Sequence, residues 1–124
     1  MRVAVDPNGK ARFKWTGTVS NGATWSDTFD LYDNGNVQIS GANTSTWKIL
    51  VKQCGTTVLT LTSGTEITVT QNTTKTSFEI DCPQSSINSF VGEYDVDLAE
   101  ETSGGTIRHW CNGTFTFIDE ELGF

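Results

Sequence analysis

The sequence predicts an all-β protein folded as a two-sheet sandwich, and three observations carry that prediction. Apolar and polar residues alternate with a period of two through about nine short stretches, the pattern of strands with one buried face. Turn-forming clusters of Gly, Asn, Asp, Ser and Pro separate these stretches at spacings of about 8–12 residues, as in β-sandwiches. Aromatic residues supply 10% of a 124-residue chain whose apolar fraction is only 35%. A few large side chains must therefore fill the core, while the abundant threonine favours strands over disorder.

The organising stretch is Phe90-Val91-Gly92-Glu93-Tyr94-Asp95-Val96-Asp97-Leu98. Tyr94, Val96 and Leu98 alternate with Glu93, Asp95 and Asp97, so one edge is apolar and the other acidic. A helix would distribute those acids around its circumference and bury at least one of them. A core strand keeps them on a single face.

From the N-terminus, Arg2 to Val5 is a short alternating piece closed by Asp6-Pro7-Asn8-Gly9, whose Pro-then-Gly spacing suits a tight turn. Ala11 to Val19 places Phe13 and Trp15 on one face. The two pieces together read as an extra N-terminal hairpin or arm over residues 1–15. Ser20-Asn21-Gly22 is a turn signal, and Trp25 to Leu31 alternates cleanly up to Asp33-Asn34-Gly35-Asn36. Val37 and Ile39 make a short strand before a polar loop from Ser40 to Ser45. Trp47, Ile49 and Val51 face inward from a strand over Thr46 to Gln53, with Lys48 and Lys52 outward. Leu59 and Leu61, then Ile67 and Val69, then Phe78, Ile80 and Cys82 form three further inward edges, the last two separated by a turn over Gln71 to Lys75. Proline suits the first turn of a helix, so Pro83 to Phe90 is expected to hold one short helical turn bearing Ile87 and Phe90. Beyond the organising strand, Thr102-Ser103-Gly104-Gly105 turns the chain. His109 and Cys111 share a face opposite Arg108 and Trp110, and Asn112-Gly113 leads into the Phe115/Phe117 strand. Residues 119–124 form a charged tail. No repeat or linker divides the chain, so residues 1–124 read as one domain.

Charge and cysteine usage narrow the function classes. A net charge of −7 and a pI near 4.4 repel phosphate, and the only basic cluster is Arg2, Lys10, Arg12 and Lys14. Alternating charge of that kind guards an edge strand, so no nucleic-acid partner is expected. The first residues lack the apolar segment of a signal peptide, and no run approaches a membrane span, so no membrane partner is expected. Cys54, Cys82 and Cys111 are odd in number and far apart, which argues against a disulfide framework. In a chain kept in the cytoplasm the sequons at Asn43, Asn72 and Asn112 carry no glycan.

The candidate chemistry is sparse. Glu93, Asp95 and Asp97 are the candidate metal ligands, since alternate strand carboxylates stand about 7 Å apart. A glycosidase needs two carboxyls on opposite sides of a cleft, and a flat stripe supplies none. Asp30 to Asn36 departs from the EF-hand pattern at Tyr32 and Gly41. His109 and Cys111 lack a second close ligand pair for a metal. Trp15, Trp25, Trp47 and Trp110 invite a sugar-binding reading. Trp25 and Trp47 lie in phase with inward aliphatics, and Trp110 lies out of phase with its neighbours and is expected to be exposed. No phosphate loop, nucleophile elbow or cofactor motif is present, so neither an enzyme nor a cofactor is expected.

The order of segments resembles a known family. Trp25 to Tyr32, the Trp47-Lys48-Ile49-Leu50-Val51-Lys52 strand, Leu59-Thr60-Leu61, Gly64 to Val69, Gly92 to Leu98 and Gly113 to Phe117 follow one another. This succession resembles the immunoglobulin-like β-sandwich domain at the N-terminus of tailed-phage upper baseplate proteins. The resemblance implies an immunoglobulin-like antiparallel sandwich and a non-enzymatic docking role in a virion. The position would be at the tail, baseplate or fibre anchor, or decorating the capsid, against other virion proteins and copies of itself. The expected interface residues are Arg2, Val3, Val5, Phe13, Trp15, Trp110, Leu122 and Phe124. The alternative is a module recognising a host surface, by carbohydrate binding through Trp110 or by calcium-dependent adhesion through Glu93, Asp95 and Asp97.

Overall fold

The computed structural model describes residues 2–4, 14–32, 42–71 and 75–119. Nine strands are present among them: β1 (Arg2–Ala4), β2 (Lys14–Ser20), β3 (Trp25–Tyr32), β4 (Thr46–Gln53), β5 (Thr56–Thr62), β6 (Ile67–Gln71), β7 (Thr76–Cys82), β8 (Gly92–Glu101) and β9 (Ile107–Ile118). They form a four-stranded sheet, β1-β3-β7-β6, and a five-stranded sheet, β2-β9-β8-β4-β5. Two short 3-10 turns, Ala42–Thr44 and Gln84–Ser86, are the only helical segments among the described residues. The all-β sandwich is as the alternation predicts, and the second turn falls inside the helical segment expected over 83–90. No described helix is long and apolar enough to cross a membrane.

The period-two pattern decides which face of each strand is inside. Trp47, Ile49 and Val51 of β4, Phe78, Ile80 and Cys82 of β7, and Tyr94, Val96 and Leu98 of β8 are all buried. Aromatic rings join these rows into one core. Trp15 touches Phe29 and Phe115 at 5.0 Å between centroids, Phe29 stacks on Phe78 at 4.9 Å, and Phe78 meets Trp47 at 4.7 Å. At the other end Phe90, Tyr94 and Phe117 form a mutual cluster. Among the described residues, ten of the 23 buried hydrophobic residues are aromatic, and their large rings compensate for the low apolar fraction.

Three expectations are corrected. The N-terminal hairpin is not formed: β1 runs parallel to β3 in one sheet, and β2 runs parallel to β9 in the other. Turn-forming residues mark where a strand breaks, but not which sheet receives the next one. Trp15 is therefore no surface anchor. It lies on the inner face of β2 at 0% exposure, because β2 is an integral member of the five-stranded sheet. Asn112 and Gly113 do not lead into a strand but lie within the continuous β9. The strand at Val37 and Ile39, the turns at Asp6–Gly9 and Asp33–Asn36, and Val5, Phe13, Leu122 and Phe124 lie outside the described residues.

Candidate functional site

The outer face of the five-stranded sheet carries most of the sequence-predicted polar residues. Glu93, Asp95 and Asp97 project from β8 opposite Thr116, Thr114 and Asn112 of β9. On the other side Lys52 of β4 stands opposite Asp95 and forms an ion pair with Asp97 at 3.0 Å. This partly exposed pair contributes at most about 1 kcal/mol. Two open depressions flank the acidic strand. Lys52, Asp95, Asp97, Asn112 and Thr114 line one, and Thr16, Thr18, Glu93, Thr114 and Thr116 line the other. The carboxylates stand in a row along the strand rather than around a point. Among the described residues no three His, Cys, Asp or Glu side chains converge closely enough to hold a metal ion.

Trp110 departs from its expected place. Leu98 pairs with Cys111 and the next residue, Ala99, pairs with His109, so Trp110 is the extra residue of a β-bulge. A bulge inserts one residue and shifts the side-chain phase of the strand beyond it. Trp110 and Cys111 are consequently both buried at 3% exposure, while His109 turns outward. Trp110 is thus neither an exposed sugar platform nor an interface anchor, and His109 and Cys111 do not share a face.

The bulge delivers the Trp110 indole to Glu100, an acid that period-two counting from Tyr94, Val96 and Leu98 already directs inward. Glu100 is 1% exposed. Trp110 Nε1 donates to its Oε1 at 2.8 Å, the Ser45 hydroxyl donates to its Oε2 at 2.5 Å, and the Arg108 guanidinium approaches Oε1 at 4.0 Å. Burying a carboxylate is tolerable only with such partners. Both oxygens are engaged by protein donors, so the group's role is to tie β8, β9 and the segment before β4 together. Its partners Ser45 and Trp110 lie 55 and 10 residues away, so the local pattern marks its inward direction but not the bonds that satisfy it.

An apolar depression lies on the outer face at the same end, where Leu50, Ala99, Ile107 and His109 meet beside Lys48 and Glu101. Ile107 is 64% exposed. On the opposite sheet Asp30 accepts hydrogen bonds from Ser77 at 2.7 Å and Lys75 at 3.2 Å. Burial alone would raise its carboxyl, but these bonds and the Lys75 charge outweigh it and hold the group below the usual range. Burial pushes up the Cys82 thiol, helped by Glu66 and Asp81, and pushes the Cys111 thiol up to about 12, helped by Asp97. Neither is a reactive nucleophile.

No protein-family model and no curated protein matches this sequence. Solved structures do resemble the fold. The N-terminal domain of phage TP901-1 ORF48 is 10% identical, with 97% of each chain covered and a TM-score of 0.51. CopC from Methylosinus trichosporium OB3b is 21% identical, with 86% of each chain covered and a TM-score of 0.45.

Proposed function

We propose that this chain is a non-enzymatic structural subunit of a tailed-bacteriophage virion, assembled in the host cytoplasm and docked to other virion proteins. The observation that supports this reading is the likeness to the N-terminal domain of a phage protein over 97% of both chains. Strand order supports an immunoglobulin-like identity for the sandwich. The order β3-β7-β6 follows B-E-D, with β1 added parallel at the β3 edge where strand A would run antiparallel, and β9-β8-β4-β5 follows G-F-C-C′. Trp47 then occupies the position of the buried tryptophan on strand C.

A docking role fits the chemistry of the surface. The outer face of the five-stranded sheet combines a carboxylate row, a threonine ladder and the exposed Ile107 beside Leu50 and Ala99. An apolar centre with a charged rim is the composition of a protein-binding patch. Arg2 and Val3 of β1, with Val5, Phe13, Leu122 and Phe124, extend the proposed anchors to both chain ends. Positions at the tail, baseplate, fibre anchor or capsid surface all suit a small brick of this kind, held by repeated contacts multiplied by symmetry. Mass spectrometry of purified virions, with antibody labelling of intact particles, tests the reading. The chain is expected in stoichiometric, multi-copy amounts, and its absence from intact particles overturns the proposal.

A further inference from the structure

The four outer strands of the sandwich are not equally protected against pairing with another chain. An open strand edge presents unpaired N–H and C=O groups, and proteins blunt such edges with bulges, charges or covering segments. At β5, Val58 is the extra residue of a bulge, since Val51 pairs with Leu59 and Lys52 with Thr57. The Glu66 carboxylate accepts from the Thr62 N–H at 3.0 Å, closing that end of the same edge. β6 is packed against the Ala42–Thr44 turn, and β1 spans only three residues. Among the described residues β2 has no bulge and no covering segment, and its one charge, Lys14, stands at its first position. Its seven-residue register with β9 is unbroken, and from Trp15 to Gly22 the chain carries no charge and no proline.

The open groups of β2 can be assigned. The Asn21 N–H donates to the Ile118 carbonyl at 3.0 Å. In a parallel ladder alternate residues direct both backbone groups to the same neighbour, so Val19 and Gly17 face β9. Thr16, Thr18 and Ser20 face the open side, where no described residue bonds their backbone.

We infer that this edge pairs with the same edge of a second copy, antiparallel about a two-fold axis at Thr18, joining two five-stranded sheets into one of ten strands. Three features favour a second copy as the occupant. The run Thr16-Gly17-Thr18-Val19-Ser20 is self-complementary about Thr18, because Thr16 meets Ser20 and Thr18 meets itself. Cross-strand Thr–Thr and Thr–Ser pairs are favourable on one face of a sheet. The only charge on β2 is Lys14 at its start, and antiparallel pairing about Thr18 sets the two copies' Lys14 at opposite ends of the contact, so no like charges are opposed in a chain of net charge −7. A two-fold contact of one patch with itself is the commonest way for identical chains to associate. Strand pairing alone gives modest affinity, so a dissociation constant on the order of 100 µM is expected, suited to the high local concentration of an assembly.

Sedimentation equilibrium and amide hydrogen exchange on the purified full-length chain test this inference without reference to any virion. The wild type is expected to dimerise, with the Thr16, Thr18 and Ser20 amides gaining protection as concentration rises. Thr18→Lys sets two ammonium groups against each other and is expected to weaken the dimer about 100-fold. Thr60→Lys, on the opposite edge of the same sheet, is expected to leave it intact. A wild type that stays monomeric up to its solubility limit, or a dimer in which those three amides stay unprotected, overturns the inference. So does equal disruption by the two lysines. Because the exchange pattern is read on the wild type, the test survives a Thr18→Lys variant that fails to fold. A monomer in solution would count against this edge alone, and absence from virions would count against the structural-subunit reading alone.

Discussion

Trp15 and Gly113 lie opposite each other across the parallel β2–β9 pair, so close that a Cβ on Gly113 would coincide with the Trp15 carbonyl. The obstacle is backbone, which cannot swing aside as a side chain can. Gly113→Ala must push β2 off β9 and is expected to cost about 3 kcal/mol. Gly17→Ala, two register positions along, meets the Phe115 ring edge at 2.6 Å. It should cost less, about 1–2 kcal/mol, because a ring has some freedom to shift. Urea unfolding should show both losses as lower midpoints at unchanged slope, with Gly113→Ala the larger.

The Glu100–Trp110 bond gives a second test. Trp110→Phe keeps the ring but removes the donor, leaving a buried carboxylate short of one partner. A loss of about 2 kcal/mol is expected. In a Glu100→Leu background the acceptor is gone, so the same substitution should cost much less. A double-mutant cycle in urea measures the difference, and a coupling near zero would mean that the indole packs without bonding.

These two sites show where local pattern stops informing. Alternation is a property of neighbouring residues, so the inward rows of β4, β7 and β8 are legible directly, and so is the inward direction of Glu100. Asn-Gly ordinarily marks a turn, yet at Asn112-Gly113 the glycine serves a close strand approach that only the remote Trp15 backbone makes necessary. The bulge at Trp110 adds one residue to β9 alone and reverses the phase upstream of it, which no window on β9 reveals. Sheet membership of β1 and β2 depends on partners about 28 and 98 residues away in register. The two-sheet sandwich follows from the alternation, while the burial of Trp15 and Trp110 removes two of the expected contact residues.

Asp30 links stability to pH. Its carboxyl is held below the ordinary value of 3.8 by Ser77 and Lys75, which overcome burial. A depressed folded-state value contributes stability that is present in full above the unfolded value and is lost as pH falls through the folded one. Asp30→Asn should therefore be less stable than wild type at neutral pH, with the gap closing below about pH 4 as the wild-type carboxylate protonates. Urea midpoints across a pH series check this, and a gap independent of pH would assign the loss to packing.

Thiol chemistry separates the three cysteines. Cys54 is exposed, whereas Cys82 and Cys111 are buried. Burial raises both buried thiols, that of Cys111 to about 12, so they combine poor access with a low thiolate fraction. A thiol reagent near neutral pH should modify Cys54 quickly and the other two only after denaturant is added. Mass spectrometry of digested samples assigns each site.

Cys54 also occupies a demanding backbone position. It and Gly55 form the two-residue connection between β4 and β5, and their φ angles are +50° and +80°. Positive φ at both positions is the requirement of a type I′ hairpin turn, whose twist matches that of the strands it joins. Glycine meets the requirement at the second position without strain, but cysteine at the first does not. Asparagine tolerates this left-handed region better than other residues with a Cβ. Cys54→Asn creates the Asn-Gly pair most favoured in such turns and touches nothing in the core. It should stabilise the fold by about 0.5–1 kcal/mol. Cys54→Val, whose branched side chain suits that conformation worst, should destabilise it by about 1 kcal/mol. Thermal or urea unfolding of the two variants beside wild type reads the order directly. Equal stabilities would show that the turn relaxes to another geometry when the residue changes.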